Sequence, residues 1–129
     1  MAERNFDFVE TIGRKKRFVT GSWTTNGNEA PGVLASTRVK GFGFTVAYIS
    51  QGLYRITFAN SYLALQSGVP HLQSASAADD FAQLGPYVAA DRTLDVRIVD
   101  DGGAVVDPPA AAANNAVHFM CVFDDALQV

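Results

Sequence analysis

Apolar side chains recur at every second position through most of this chain. Over residues 41–48, Phe42, Phe44, Val46 and Tyr48 share one face, with Gly41, Gly43, Thr45 and Ala47 opposite. That is the alternation of a strand with one bulky and one thin side. Ser50-Gln51-Gly52 reads as a turn. Residues 53–59 then alternate again, with Tyr54, Ile56 and Phe58 against Arg55 and Thr57, which predicts a hairpin. In residues 93–99, Leu94, Val96 and Ile98 point inward and Asp95 and Arg97 outward. Asp100-Asp101-Gly102-Gly103 is a turn signal, residues 104–107 a short return strand, and Pro108-Pro109 its stop.

Residues 116–123 differ from the rest. Val117, Phe119, Cys121 and Phe123 share one face and His118, Met120 and Val122 the other, so both sides are largely apolar. Such a strand is either central and covered on both sides, or covered by the core on one side and by another subunit on the other. Three further strands are expected. Residues 17–24 carry Val19 and Trp23. Residues 69–77, interrupted by Pro70, should form an edge strand. Residues 81–88 should bend at Gly85-Pro86. A short helical turn is expected at residues 60–66 and about one turn at 108–115.

Seven or eight short strands and almost no helix predict an all-β fold, a jelly-roll-like antiparallel β-sandwich or a small barrel. No internal repeat is visible. Residues 1–15 read as an extended N-terminal arm and residues 16–129 as the sandwich domain. The Gly/Asn-rich loop at residues 26–32 should lie on the surface.

Composition narrows the function classes. The chain has 129 residues, 48% of them hydrophobic and 18% charged, which suits one folded domain rather than a disordered chain. A net charge of -3 argues against a nucleic-acid partner. No apolar run is long enough to span a bilayer, and the first residues lack a signal-peptide pattern, so synthesis in the cytoplasm is expected. A lone cysteine excludes an internal disulfide and any multi-cysteine zinc site.

Candidate chemistry is sparse. His118 and Cys121, three apart on a strand, face opposite ways and cannot act as base and nucleophile. His71 adds a second histidine but no third ligand, so no metal and no cofactor are expected. The pairs Asp79-Asp80, Asp100-Asp101 and Asp124-Asp125 read as solvated turn acids or as acceptors for salt bridges between subunits. Gly41-Phe42-Gly43-Phe44 resembles half of a dinucleotide-binding glycine motif but lacks the third glycine and the helix. No catalytic residue is assigned and an enzyme is not expected. Arg14-Lys15-Lys16-Arg17 is the one basic run. Such a run is either a solvated face or a contact for an acidic protein surface, and the apolar Phe6, Phe8, Val9 and Ile12 of the arm should dock on their own domain or on a neighbour.

The second half, over about residues 40–129, resembles a family of small tailed-bacteriophage virion proteins. The residues that carry the likeness are Gly52-Leu53-Tyr54-Arg55-Ile56-Thr57-Phe58, then Thr93-Leu94-Asp95-Val96-Arg97-Ile98-Val99-Asp100, then Asn114-Asn115-Ala116-Val117-His118-Phe119-Met120-Cys121-Val122-Phe123. Asp124-Asp125 departs from that family, where a basic or neutral pair is common. The resemblance implies a capsid decoration (cement) protein, a homotrimeric jelly roll on the outer surface of the phage head that stabilises it by binding the major capsid protein. Phe6, Phe8, Ile12, Arg14, Lys15, Lys16 and Arg17 would then meet the shell. Val117, Phe119, Met120 and Val122 would form the contact between copies. A tail, fibre or baseplate protein is the alternative within the virion. A carbohydrate-binding module is the alternative outside it, with Trp23 and Tyr87 as the aromatic candidates.

Overall fold

Alternation becomes two antiparallel sheets laid face to face. The computed structural model describes residues 16–26, 29–75, 80–108 and 115–124. Its strands are β1 (Lys16–Thr24), β2 (Gly32–Val33), β3 (Val39–Lys40), β4 (Phe44–Ser50), β5 (Leu53–Phe58), β6 (Ala64–Gln73), β7 (Phe81–Val88), β8 (Thr93–Val99) and β9 (Ala116–Asp124). The first sheet has the order β3-β1-β9-β6 and the second β2-β4-β5-β8-β7. The pairings nest, β5 with β8 in one layer and β1 with β9 in the other. The chain is thus an antiparallel ribbon folded over into two layers, the jelly-roll theme.

Burial follows the period of two. Tyr54, Ile56 and Phe58 of β5, Leu94, Val96 and Ile98 of β8, and Val117, Phe119, Cys121 and Phe123 of β9 are sealed from solvent. Phe123 is the aromatic hub. It stacks on Tyr62 with ring centroids 4.5 Å apart and meets Phe58 edge-on at 5.0 Å and Tyr87 at 5.1 Å. Phe119 does the same one turn of the pleat away, against Phe44 at 5.1 Å and Trp23 at 6.2 Å.

Several local expectations change. Residues 60–66 form no helical turn. Leu63 is loop and Ala64 opens β6, because the ladder to β9 offers nine residues of pairing where a helical turn offers almost none. This edge strand therefore starts five residues before the expected 69 and ends at Gln73. The return strand expected at 104–107 shrinks to a single bridge between Val99 and Val105. In place of one of the eight expected strands there are two two-residue strands, β2 and β3, which makes nine among the described residues. Residues 41–43 leave the ladder altogether. Gly41 and Gly43 take φ of +127° and +83°, so the strand begins only at Phe44. A Cβ on Gly41 would lie 2.9 Å from the Thr20 carbonyl and 2.7 Å from the Phe44 ring, so glycine is required there on two counts. The bend expected at Gly85-Pro86 is present as a register shift between Leu84 and Tyr87.

Candidate functional site

The two sheets present unlike outer faces. On the second sheet the central outward residues of β5 and β8 are polar, and several are paired. Arg55 Nε donates to Asp95 Oδ1 at 2.8 Å, its NH2 donates to Asp95 Oδ2 at 3.2 Å, and Arg97 Nε donates to Gln83 Oε1 at 2.9 Å. On the first sheet the register aligns Thr20, Met120 and Val69 in one row, Phe18, Val122 and Ser67 in the next, and Ser22, His118 and His71 on the other side. Phe18 is 59% exposed, Val69 61% and Met120 52%. Three adjacent strands thus offer a contiguous apolar surface, the property that marks contact surfaces rather than ordinary exterior.

The strand expected to carry the contact between copies is β9, and its four assigned residues divide. Met120 and Val122 point outward, with Val122 half-buried. Val117 and Phe119 are core, with 0% and 3% exposure. Of the four, only Met120 and Val122 reach the outer face, where Phe18 and Val69, which the sequence reading did not assign, stand on the flanking strands. Their apolar character was visible, but which strands flank β9 was not.

The basic cluster is only partly described. Phe6, Phe8, Ile12, Arg14 and Lys15 lie outside the described residues. Lys16 opens β1 and its Nζ donates to Asp124 Oδ1 at 2.5 Å. Asp124 also accepts from Gln66 Nε2 at 2.9 Å and is buried. The expectation of a solvated turn acid at Asp124 is corrected: the β1–β9 register puts it opposite Lys16. Lys16 therefore directs its charge at its own domain, while Arg17 is exposed.

The 26–32 loop also corrects its expectation of lying only on the surface. Glu29 turns inward, its side chain 2% exposed. It accepts from Arg38 NH1 at 3.0 Å and NH2 at 2.6 Å, from the Tyr54 hydroxyl at 2.9 Å and from the Asn26 amide at 3.0 Å. Burial first, then the Glu29 charge, raises the Tyr54 hydroxyl pKa well above its ordinary range. Beside it Tyr48 donates to Asp107 Oδ1 at 2.7 Å. The network fastens one end of the sandwich. Nothing in the sequence links residues 29, 38 and 54, since each comes from a different element.

His118 and Cys121 face opposite sides of β9, as their spacing requires. Cys121 is buried and its thiol is pushed up to about 11 by loss of solvent. Among the described residues no three His, Cys, Asp or Glu gather in a way that could hold a metal ion. The aromatics named for sugar binding are unsuited to it. Trp23 is 1% exposed, and the Tyr87 hydroxyl is engaged with the Tyr62 backbone. Phe42, Phe18 and Phe81 are the exposed large aromatics among the described residues, and Phe42 is the most exposed, at 95% on the Gly41-Phe42-Gly43 turn. No helix among the described residues is long and apolar enough to cross a membrane.

No protein-family model, no curated protein and no solved structure matches this chain.

Proposed function

We propose that this protein is a structural virion component, a decoration or cement protein that sits as a homotrimer on the outer surface of a tailed-phage head and stabilises it without catalysis. The observation that carries the reading is the apolar outer face of the first sheet, where Phe18, Val69 and Met120 stand exposed on three adjacent strands. A lone small domain gains nothing from such a face, whereas symmetric association buries it. The residues that resemble small phage virion proteins point the same way. In this account copies meet through Phe18, Val69, Met120 and Val122. The arm of residues 1–15, with Phe6, Phe8, Ile12, Arg14 and Lys15, reaches the major capsid protein. Repetition over many identical sites makes weak contacts sufficient.

The test is to add purified protein to heads that lack it and to image them by cryo-electron microscopy. Trimeric density on the head surface is expected. Removing residues 2–13 should leave a folded trimer that binds heads poorly. Density confined to the tail would select the tail, fibre or baseplate reading, and no binding to any part of the virion would overturn the proposal.

A further inference from the structure

At one margin of the same sheet face, β6 and β9 bring the chain's two histidines together. His71 and His118 are directly opposed in the ladder, and their ring centroids lie 6.5 Å apart. Met120, two residues on from His118 and on the same face, lines the same hollow of about 360 Å³ together with Thr20, Val69 and both histidines. His118 is also held from behind. Its Nε2 stands 2.7 Å from the Gln73 side-chain oxygen. A hydrogen-bonded neighbour of this kind orients a metal-binding imidazole.

We infer that His71, His118 and Met120 form a copper site at the edge of the proposed contact face, with Gln73 positioning His118. The ligand types decide the metal. Two neutral imidazoles and a thioether, with no carboxylate or thiolate among them, favour copper over zinc, calcium or magnesium. Thioether sulfur selects Cu(I), and copper heads the divalent affinity order for nitrogen ligands. Opposed residues on adjacent antiparallel strands have Cβ atoms about 4.5–5.5 Å apart, so rotation of the His71 side chain brings its ring toward an ion at His118 while Gln73 holds the latter. The sequence reading missed this because it sought a third histidine, cysteine or acid. Methionine supplies the third donor, and only the register reveals that it stands beside the pair.

The test is anaerobic titration of the full chain with Cu(I) in competition with bicinchoninate, read alongside imidazole nitrogen NMR. One equivalent should be retained, with an imidazole nitrogen resonance of His118 shifting on binding. His71→Ala and His118→Ala should each weaken binding by at least about tenfold, and Gln73→Leu by about tenfold. Met120→Leu should weaken Cu(I) binding while leaving Ni(II) binding nearly unchanged, since nickel draws little from a thioether. Cys121→Ala should bind as the parent does. All five side chains can be replaced one at a time, and circular dichroism of each variant confirms that the sandwich is intact. Failure of the parent chain to hold Cu(I) would overturn the site. So would unchanged affinity in the His71→Ala/His118→Ala double variant, or loss of binding in Cys121→Ala.

Discussion

The outer faces of the two sheets are built on the same alternation and differ in chemistry at their centres. On the second sheet the central outward residues of β5 and β8 are polar and tied together through Arg55 and Asp95, while the exposed apolar Val33, Phe81 and Val88 stand on the flanking strands β2 and β7. On the first sheet the residues that leave the core include Phe18, Val69 and Met120. The core is no poorer for it, because the inner face of β9 is filled by Val117, Phe119, Cys121 and Phe123. Folding alone therefore explains the polar centre of the second sheet but not the apolar row at the centre of the first. The exposed apolar row is the feature from which the proposed contact between copies is drawn.

The comparison is sharpest at β9, where the same strand serves both purposes. Phe123→Ala removes the hub that Tyr62, Phe58 and Tyr87 pack on, and should cost about 3–5 kcal/mol of unfolding free energy in a denaturant titration. Met120→Ala, one face over, should change the stability of the dissociated chain by less than about 1 kcal/mol. Equal losses at the two positions would mean that the outer face is already buried within the chain.

The inner face should also announce itself at high pH. Burial pushes the Cys121 thiol up to about 11, and burial together with the hydrogen bond to Asp107 pushes the Tyr48 hydroxyl up to about 12. Both groups are raised above their ordinary values of 9.0 and 10.0, so the unfolded chain ionises first as pH rises. Their contribution is fully present below pH 9 and is lost across 9–11 for Cys121 and 10–12 for Tyr48. Unfolding free energy measured from pH 8 upward should fall over that window, and Cys121→Ala should remove the earlier part of the fall. A profile flat to pH 11 would contradict the burial of both groups.

The smallest effect is expected on the second sheet. Arg55→Ala breaks a half-exposed ion pair and should cost at most about 1 kcal/mol, with no change in oligomeric state. If it dissociated the protein, the contact face would lie on the second sheet.

Much of this was legible from residue order. The hairpin of β4 and β5, the inward set Leu94, Val96 and Ile98, the bend at Gly85-Pro86 and the double apolar character of β9 follow from the period of two and from glycine and proline. What was not legible depends on which strands become neighbours. Phe42 keeps the alternation of β4 in sequence, yet it stands on a turn because Gly41 and Gly43 take left-handed backbone angles that the hydrophobic pattern cannot register. Residues 63–65 have helix-forming side chains, but cross-strand pairing with β9 overrides a weak local preference. The approach of Glu29 to Arg38 and Tyr54, of Lys16 to Asp124 and of His71 to His118 is set by the register of distant segments. Of the candidate contact residues, Met120 and Val122 were recoverable from β9 alone. Phe18 and Val69 required knowing that β1 and β6 flank it.

The claim that the outer face of the first sheet is a contact surface is tested most directly by sedimentation of the parent chain beside Met120→Asp and Val69→Asp. The account predicts a trimer for the parent and monomers for both variants, with the variants retaining the circular dichroism of a folded sandwich. A monomeric parent chain, or trimers that survive both substitutions, would contradict it.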